Sequence, residues 1–168
     1  IREITHVVYL HSFSDAQNLH GFDKTFSNMY EWAIFTISAL INNKPSKICI
    51  KAHPNFYSAN ALGHYDLFLF RKLLQEKIFR DYYDRIILLD YPVSNMNLLS
   101  HLDSERTVLV SHHGTALLEG SLLGFRAISS SKSIWGAYNL LNTWKTKDEY
   151  LHLLSVGPSS LKLDEAPM

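Results

Sequence analysis

Five short apolar runs, each followed by a polar break, recur along this chain at residues 4–10, 47–52, 85–89, 107–110 and 126–129. Runs this short are strands, and strands that are apolar along their whole length are buried on both faces. Helical spacing fills the intervals. Residues 26–41 carry Phe26, Tyr30, Ala33, Ile34, Ile37 and Ile41 on one stripe, and residues 62–79 carry Leu67, Phe70, Leu73, Leu74 and Ile78. Ser94 is placed to cap a short helix through Leu102, residues 115–123 read as a further helix, and Thr146 with Glu149 forms a capping box ahead of a last helix over 150–154. Strand and helix in alternation define an α/β chain: a Rossmann-like, doubly wound parallel sheet of about five or six strands with helices on both faces.

Size and charge narrow the class. A chain of 168 residues, 46% hydrophobic, buries a full core without disulfides. Residues 1–154 read as one domain and 155–168 as a tail. The single cysteine, Cys49, lies between Ile48 and Ile50 and is expected as a buried thiol, compatible with a reducing compartment. Sixteen basic residues balance sixteen acidic ones without a long run of either sign, which argues against a nucleic-acid groove. No stretch has the length of a transmembrane segment. The chain opens at Ile1 with no leader-like segment, and that start suggests a piece of a longer protein.

In sheets of this kind ligands bind beyond the carboxyl ends of the strands. The segments to watch are 11–20, 53–58, 90–94, 111–115 and 129–138. The fourth strand breaks at Ser111, His112, His113, Gly114 and Thr115 and continues as a helix, a construction that turns backbone amides toward an anion. Glu119 follows Thr115 by about one helical turn and can face the same ligand, which pairs a phosphate with ribose hydroxyls. Lys51 and His53, two residues apart at a strand end, share a side and can both donate to phosphate oxygens. The long first loop offers Ser14 and Asp15, the latter a candidate general base. Each has an ordinary structural reading beside it: Asp15 as a turn cap, Lys51 as a solvated edge residue, Trp32 as core, Tyr138 as packing.

Metal binding is not expected despite nine histidines, because no HExxH, no paired cysteines and no carboxylate at short helical spacing from a histidine pair occur. Adjacent His112 and His113 point in opposite directions on an extended turn, so one of them at most faces a given ligand. No dinucleotide fingerprint, P-loop or nucleophile elbow is present.

The order Lys51, Ala52, His53, Pro54, then Ser111, Gly114, Thr115 and Glu119, then Arg126, Ala127 and Ile128, resembles the carboxyl-terminal, donor-binding half of GT-B glycosyltransferases. The nearest likeness is to capsule and lipopolysaccharide enzymes of the Kdo- and sialyl-transferring groups. The opening His11, Ser12, Phe13, Ser14, Asp15 and the set Phe26, Tyr30, Trp32 also resemble surface-polysaccharide proteins with a His-x-Phe-Ser-Asp turn. The resemblance spans roughly residues 5–152, through short elements. It departs from the pattern at Ala52 and Asn55, and at His112 and His113 where a Ser-Ser pair would match sialyl transfer better.

What the resemblance implies is a nucleotide-sugar site, CMP-linked sugars included, with no metal or other cofactor. Lys51, His53, Ser111, His113, Gly114, Thr115 and Glu119 would bind the nucleotide, and His53 and Asp15 would be catalytic. Its partners would be a nucleotide-sugar donor, a glycan acceptor and a second Rossmann lobe, in the cytoplasm or at the inner membrane face. Two rivals stand beside it. One is a sugar-nucleotide epimerase or hydrolase using His53 or His113 as acid or base; the other is a non-catalytic interaction domain.

Overall fold

The computed structural model describes residues 3–14, 25–43, 47–134, 136 and 140–163. Six strands form one all-parallel sheet: β1 (Ile4–Tyr9), β2 (Lys47–Lys51), β3 (Ile86–Leu89), β4 (Val108–Val110), β5 (Arg126–Ser130) and β6 (Asn142–Trp144), in the order β3-β2-β1-β4-β5-β6. The α/β, Rossmann-like class expected from the alternation is the class observed. The chain winds outward from β1 through β2 to β3, then crosses back to β4 and winds the other way. Between β1 and β4 the winding reverses, and that is the crevice where such sheets accept ligands.

Alternate residues of each strand feed two cores. Val8, Ile48, Ile50, Val108, Val110 and Ile128 pack with α1 (Met29–Asn43), α2 (Ala61–Leu74), α3 (Lys77–Asp81) and α6 (Lys147–Ser155). Val7, Tyr9, Cys49, Leu109 and Ala127 pack with α4 (Asn95–Leu99) and α5 (Ala116–Leu122). The first core is aromatic and carries its own polar network. Trp32 Nε1 donates to the Tyr150 hydroxyl at 3.0 Å, Thr36 Oγ1 meets the same hydroxyl at 2.7 Å, and Trp144 stacks on Tyr150 at 4.0 Å. Trp32 is thus a core residue, as expected. The second core is thinner because α5 lies close on β4: a Cβ on Gly120 would stand 2.0 Å from Leu109 Cδ1. Gly124, at φ +86°, ends that helix where the left-handed conformation favours glycine.

Helix boundaries follow their caps. α1 starts at Met29, later than its apolar stripe, because Asn28 Oδ1 accepts from Glu31 N at 2.8 Å and Glu31 reaches back to Ser27 N at 2.9 Å. The expected helix over 62–79 is two helices. The backbone is extended at Glu76, whose carboxylate accepts from the Tyr30 hydroxyl at 2.7 Å, and α3 then carries Phe79 back into the core. Thr146 caps α6 as its sequence indicates, and the helix runs on to Ser155. β6 was not among the expected strands. It has three residues and a buried polar one, Asn142, which bonds Ala127 O at 3.1 Å and exchanges two bonds with the Lys162 backbone. Part of the expected tail is therefore docked, and Leu161 is buried beside it.

Candidate functional site

At the reversal between β1 and β4 the carboxyl ends of the strands open into a cavity of about 630 Å³. Lys51, His53, Ser111, His113, Gly114, Thr115 and Glu119 all line it, so the segments that follow β2 and β4 meet at one place. Asp15 lies outside the described residues, as does Tyr138. Ser14 is described but stands elsewhere: with Ser12, Asn55 and Asp66 it lines a separate concavity of about 170 Å³. There Asp66, 1% exposed, accepts from Ser12 Oγ and, at 2.8 Å, from Ser14 N, tying the first loop to α2.

Lys51 ends β2 with its side chain 9% exposed. Its ammonium makes no hydrogen bond or ion pair among the described residues and stands 6.0 Å from the centroid of the Tyr9 ring. Burial lowers the Lys51 pKa, an effect offset in part by the Cys49 thiol and by Glu119 across the cavity. Buried cations ordinarily have an anionic partner. The thiol itself is locked: burial pushes Cys49 up to about 12, so it is inert rather than nucleophilic.

The histidines are arranged as their spacing implies. His113 lines the cavity, whereas His112 turns inward between Trp32 and Trp144, edge-on to each at 6.0 and 5.8 Å. Their Nδ1 atoms lie 2.8 Å apart. Two ring nitrogens at that distance share one proton, so the pair holds at most one positive charge. His11 stacks 3.6 Å from His113 and 5.5 Å from His53. His53 Nδ1 accepts from Asn55 N at 3.2 Å, which leaves Nε2 as the donor in the neutral ring. His53 lines the cavity wall, next to Pro54.

The turn after β4 is fastened from below. Ser111 donates Oγ to Tyr9 O at 3.2 Å, and Ser129 Oγ bonds His112 O at 3.0 Å, so these hydroxyls hold the turn against β1 and β5. α5 has only seven residues, and its N-cap Thr115 makes no side-chain cap bond. A helix dipole of that length is small. The positive character of the cavity rests on Lys51 more than on the helix start. Glu119 faces the cavity from an exposed position, its Oε2 accepting from Asn95 Nδ2 at 2.7 Å.

Sequence reasoning missed Tyr9, Val93, Asn95 and Ile134, all of which line the cavity. Asn95 had a usable signal, since it directly follows the post-strand segment 90–94. Tyr9 had none, because a tyrosine inside a β-branched run reads as core. Among the described residues no group of three His, Cys, Asp or Glu side chains is placed to hold a metal ion, and no helix is long and apolar enough to cross a membrane. No family model matches the chain, and no curated protein or solved structure gives a significant match.

Proposed function

We propose that this chain is the donor-binding half of a GT-B-type glycosyltransferase of bacterial surface-polysaccharide synthesis and that the cavity holds a nucleotide sugar. One observation carries the reading: Lys51 is buried, makes no hydrogen bond or ion pair among the described residues, and lines a cavity that Glu119 also faces. A ligand with a phosphate at one end and vicinal hydroxyls at the other satisfies both groups. The order of Lys51, His53, Pro54, Gly114, Thr115 and Glu119 along the chain supports the same reading.

In this scheme Lys51 and the Nε2–H of His53 bind the phosphate that departs with the nucleotide, and their interaction strengthens as charge builds there during sugar transfer. His113 forms part of the same wall. Glu119 accepts from the ribose. A second Rossmann lobe would bring the glycan acceptor and complete the crevice. Asp15 remains the sequence-based candidate for the general base.

A thermal-shift panel of CMP, UDP, GDP and their sugars tests the assignment. At 100 times its dissociation constant the bound nucleotide should add about 2.7 kcal/mol of stability. A rise in melting temperature that disappears in Lys51→Met supports the reading. The absence of any shift would end it, and release of free nucleotide from a nucleotide sugar without an acceptor would favour a hydrolase instead.

A further inference from the structure

Three side chains at the back of the cavity form a hydrogen-bonded chain. The Tyr9 hydroxyl donates to Asn95 Oδ1 at 2.6 Å, and Asn95 Nδ2 donates to Glu119 Oε2 at 2.7 Å and, more weakly, to Ala116 O at 3.4 Å. The three residues come from the end of β1, the start of α4 and the first turn of α5. They span the reversal between the two halves of the sheet.

The directions of these bonds are forced. A carboxylate only accepts, so the amide must present its NH2 to Glu119. Its carbonyl oxygen then faces the phenol, which must donate. Tyr9 is 5% exposed, and burial raises its pKa, with Cys49 and Glu119 adding to the effect, so the phenol keeps the proton it donates. With the amide reversed, Oδ1 would face a carboxylate and the chain would break. One Glu119 oxygen is thereby engaged, while Oε1 takes no hydrogen bond among the described residues. Glu119 is itself exposed, and without this tether its side chain would sample several rotamers.

We propose that Asn95, braced by Tyr9, is the positioning and specificity-determining residue that aims Glu119 at the ribose hydroxyls of the bound nucleotide. This rests on the nucleotide reading above and extends it to discrimination between ribose and deoxyribose. A site built to hydrogen-bond a hydroxyl rejects a ligand lacking it, because its polar groups are left unpaired. Rejection is strong only if the acceptor is held in place beforehand. Asn95 supplies that restraint.

The test is calorimetric titration of the wild-type chain, Asn95→Ala and Tyr9→Phe with CMP, UMP and GMP and with their 2′,3′-dideoxy counterparts. Wild type should prefer a ribonucleotide over its dideoxy form. Asn95→Ala should shrink that preference by about tenfold, the scale of a hydrogen bond to a charged group. Its affinity for the dideoxy form should stay unchanged, whereas a loss of general structure would weaken both ligands alike. Tyr9→Phe keeps the ring in place and should shrink the preference less. If the preference survives in Asn95→Ala, or both affinities fall together, the inference is overturned and the nucleotide reading stands. If wild type binds none of the six nucleotides, that reading falls and the inference with it.

Discussion

The two ends of the sheet treat their cations differently. At the amino end each is paired: Lys47 with Glu3 at 2.8 Å, both side chains substantially exposed, and Arg126 with Glu105 at 3.2 Å, although Arg126 Nε is buried; Thr107 Oγ1 beside them donates to Ile4 O at 2.9 Å. At the carboxyl end Lys51, Ser111, His112, His113, Ser129 and Ser130 are all buried, and Lys51 makes no ion pair among the described residues. Burial of a charge costs several kcal/mol unless something compensates it. A chain stabilised for its own sake would place its lysine as the amino end does. The difference teaches that the carboxyl end holds unspent interaction capacity, which a ligand can use.

The sharpest way to break this comparison is Lys51→Met. Affinity for the nucleotide should fall about ten- to a hundredfold, while the unliganded fold should hold its melting temperature or gain, since a buried unpaired cation is removed. A variant that unfolds more easily yet binds as before would reverse the contrast.

Alkaline titration probes the middle of the sheet. The native state keeps the Cys49 proton up to about pH 12, whereas an unfolded thiol releases it near its ordinary value of 9.0. Stability should therefore fall as pH rises between 9 and 12, by up to about 1.4 kcal/mol per unit from this thiol. The buried Tyr9 and Tyr150, also raised by desolvation, add to the loss above pH 10. Lys51 acts in the opposite sense: its lowered pKa means the unfolded chain binds a proton that the native chain does not, so stability gains with pH below 10.5. In denaturant midpoints measured from pH 9 to 10, Cys49→Ala should show a flatter slope than wild type; an equal slope would remove the thiol from the account.

At the amino end, Thr107→Val should lower stability by about 0.5–1.5 kcal/mol, the ordinary worth of one hydrogen bond, and leave nucleotide affinity untouched. Urea unfolding and the same titration read both halves of that statement. The smallest effect belongs to Glu3→Ala, whose ion pair is exposed and screened: its melting temperature should match wild type. A clear drop there would mean that the amino end, too, relies on charge.

Most of the fold was legible in the sequence because a doubly covered parallel sheet writes itself as apolar runs. The exceptions are physical. β6 is three residues long and earns its place through Asn142 side-chain bonds to β5 and to the Lys162 backbone, which no periodicity encodes. The break at Glu76 has no proline or glycine to announce it and coincides with a tertiary bond from Tyr30. At the site, residues close to the strand ends were legible since topology alone brings Lys51, His53 and the turn after β4 to one rim. Tyr9 was not, because its part depends on a hydrogen bond to Asn95, 86 residues further along the chain.

The proton between His112 and His113 ties the cavity to the aromatic core. An anion beside His113 stands one hydrogen bond from His112, whose ring lies edge-on to both Trp32 and Trp144. Indole emission responds to charge in its surroundings, so the native fluorescence of this protein is a built-in gauge of whether the crevice is filled, with no dye or label attached.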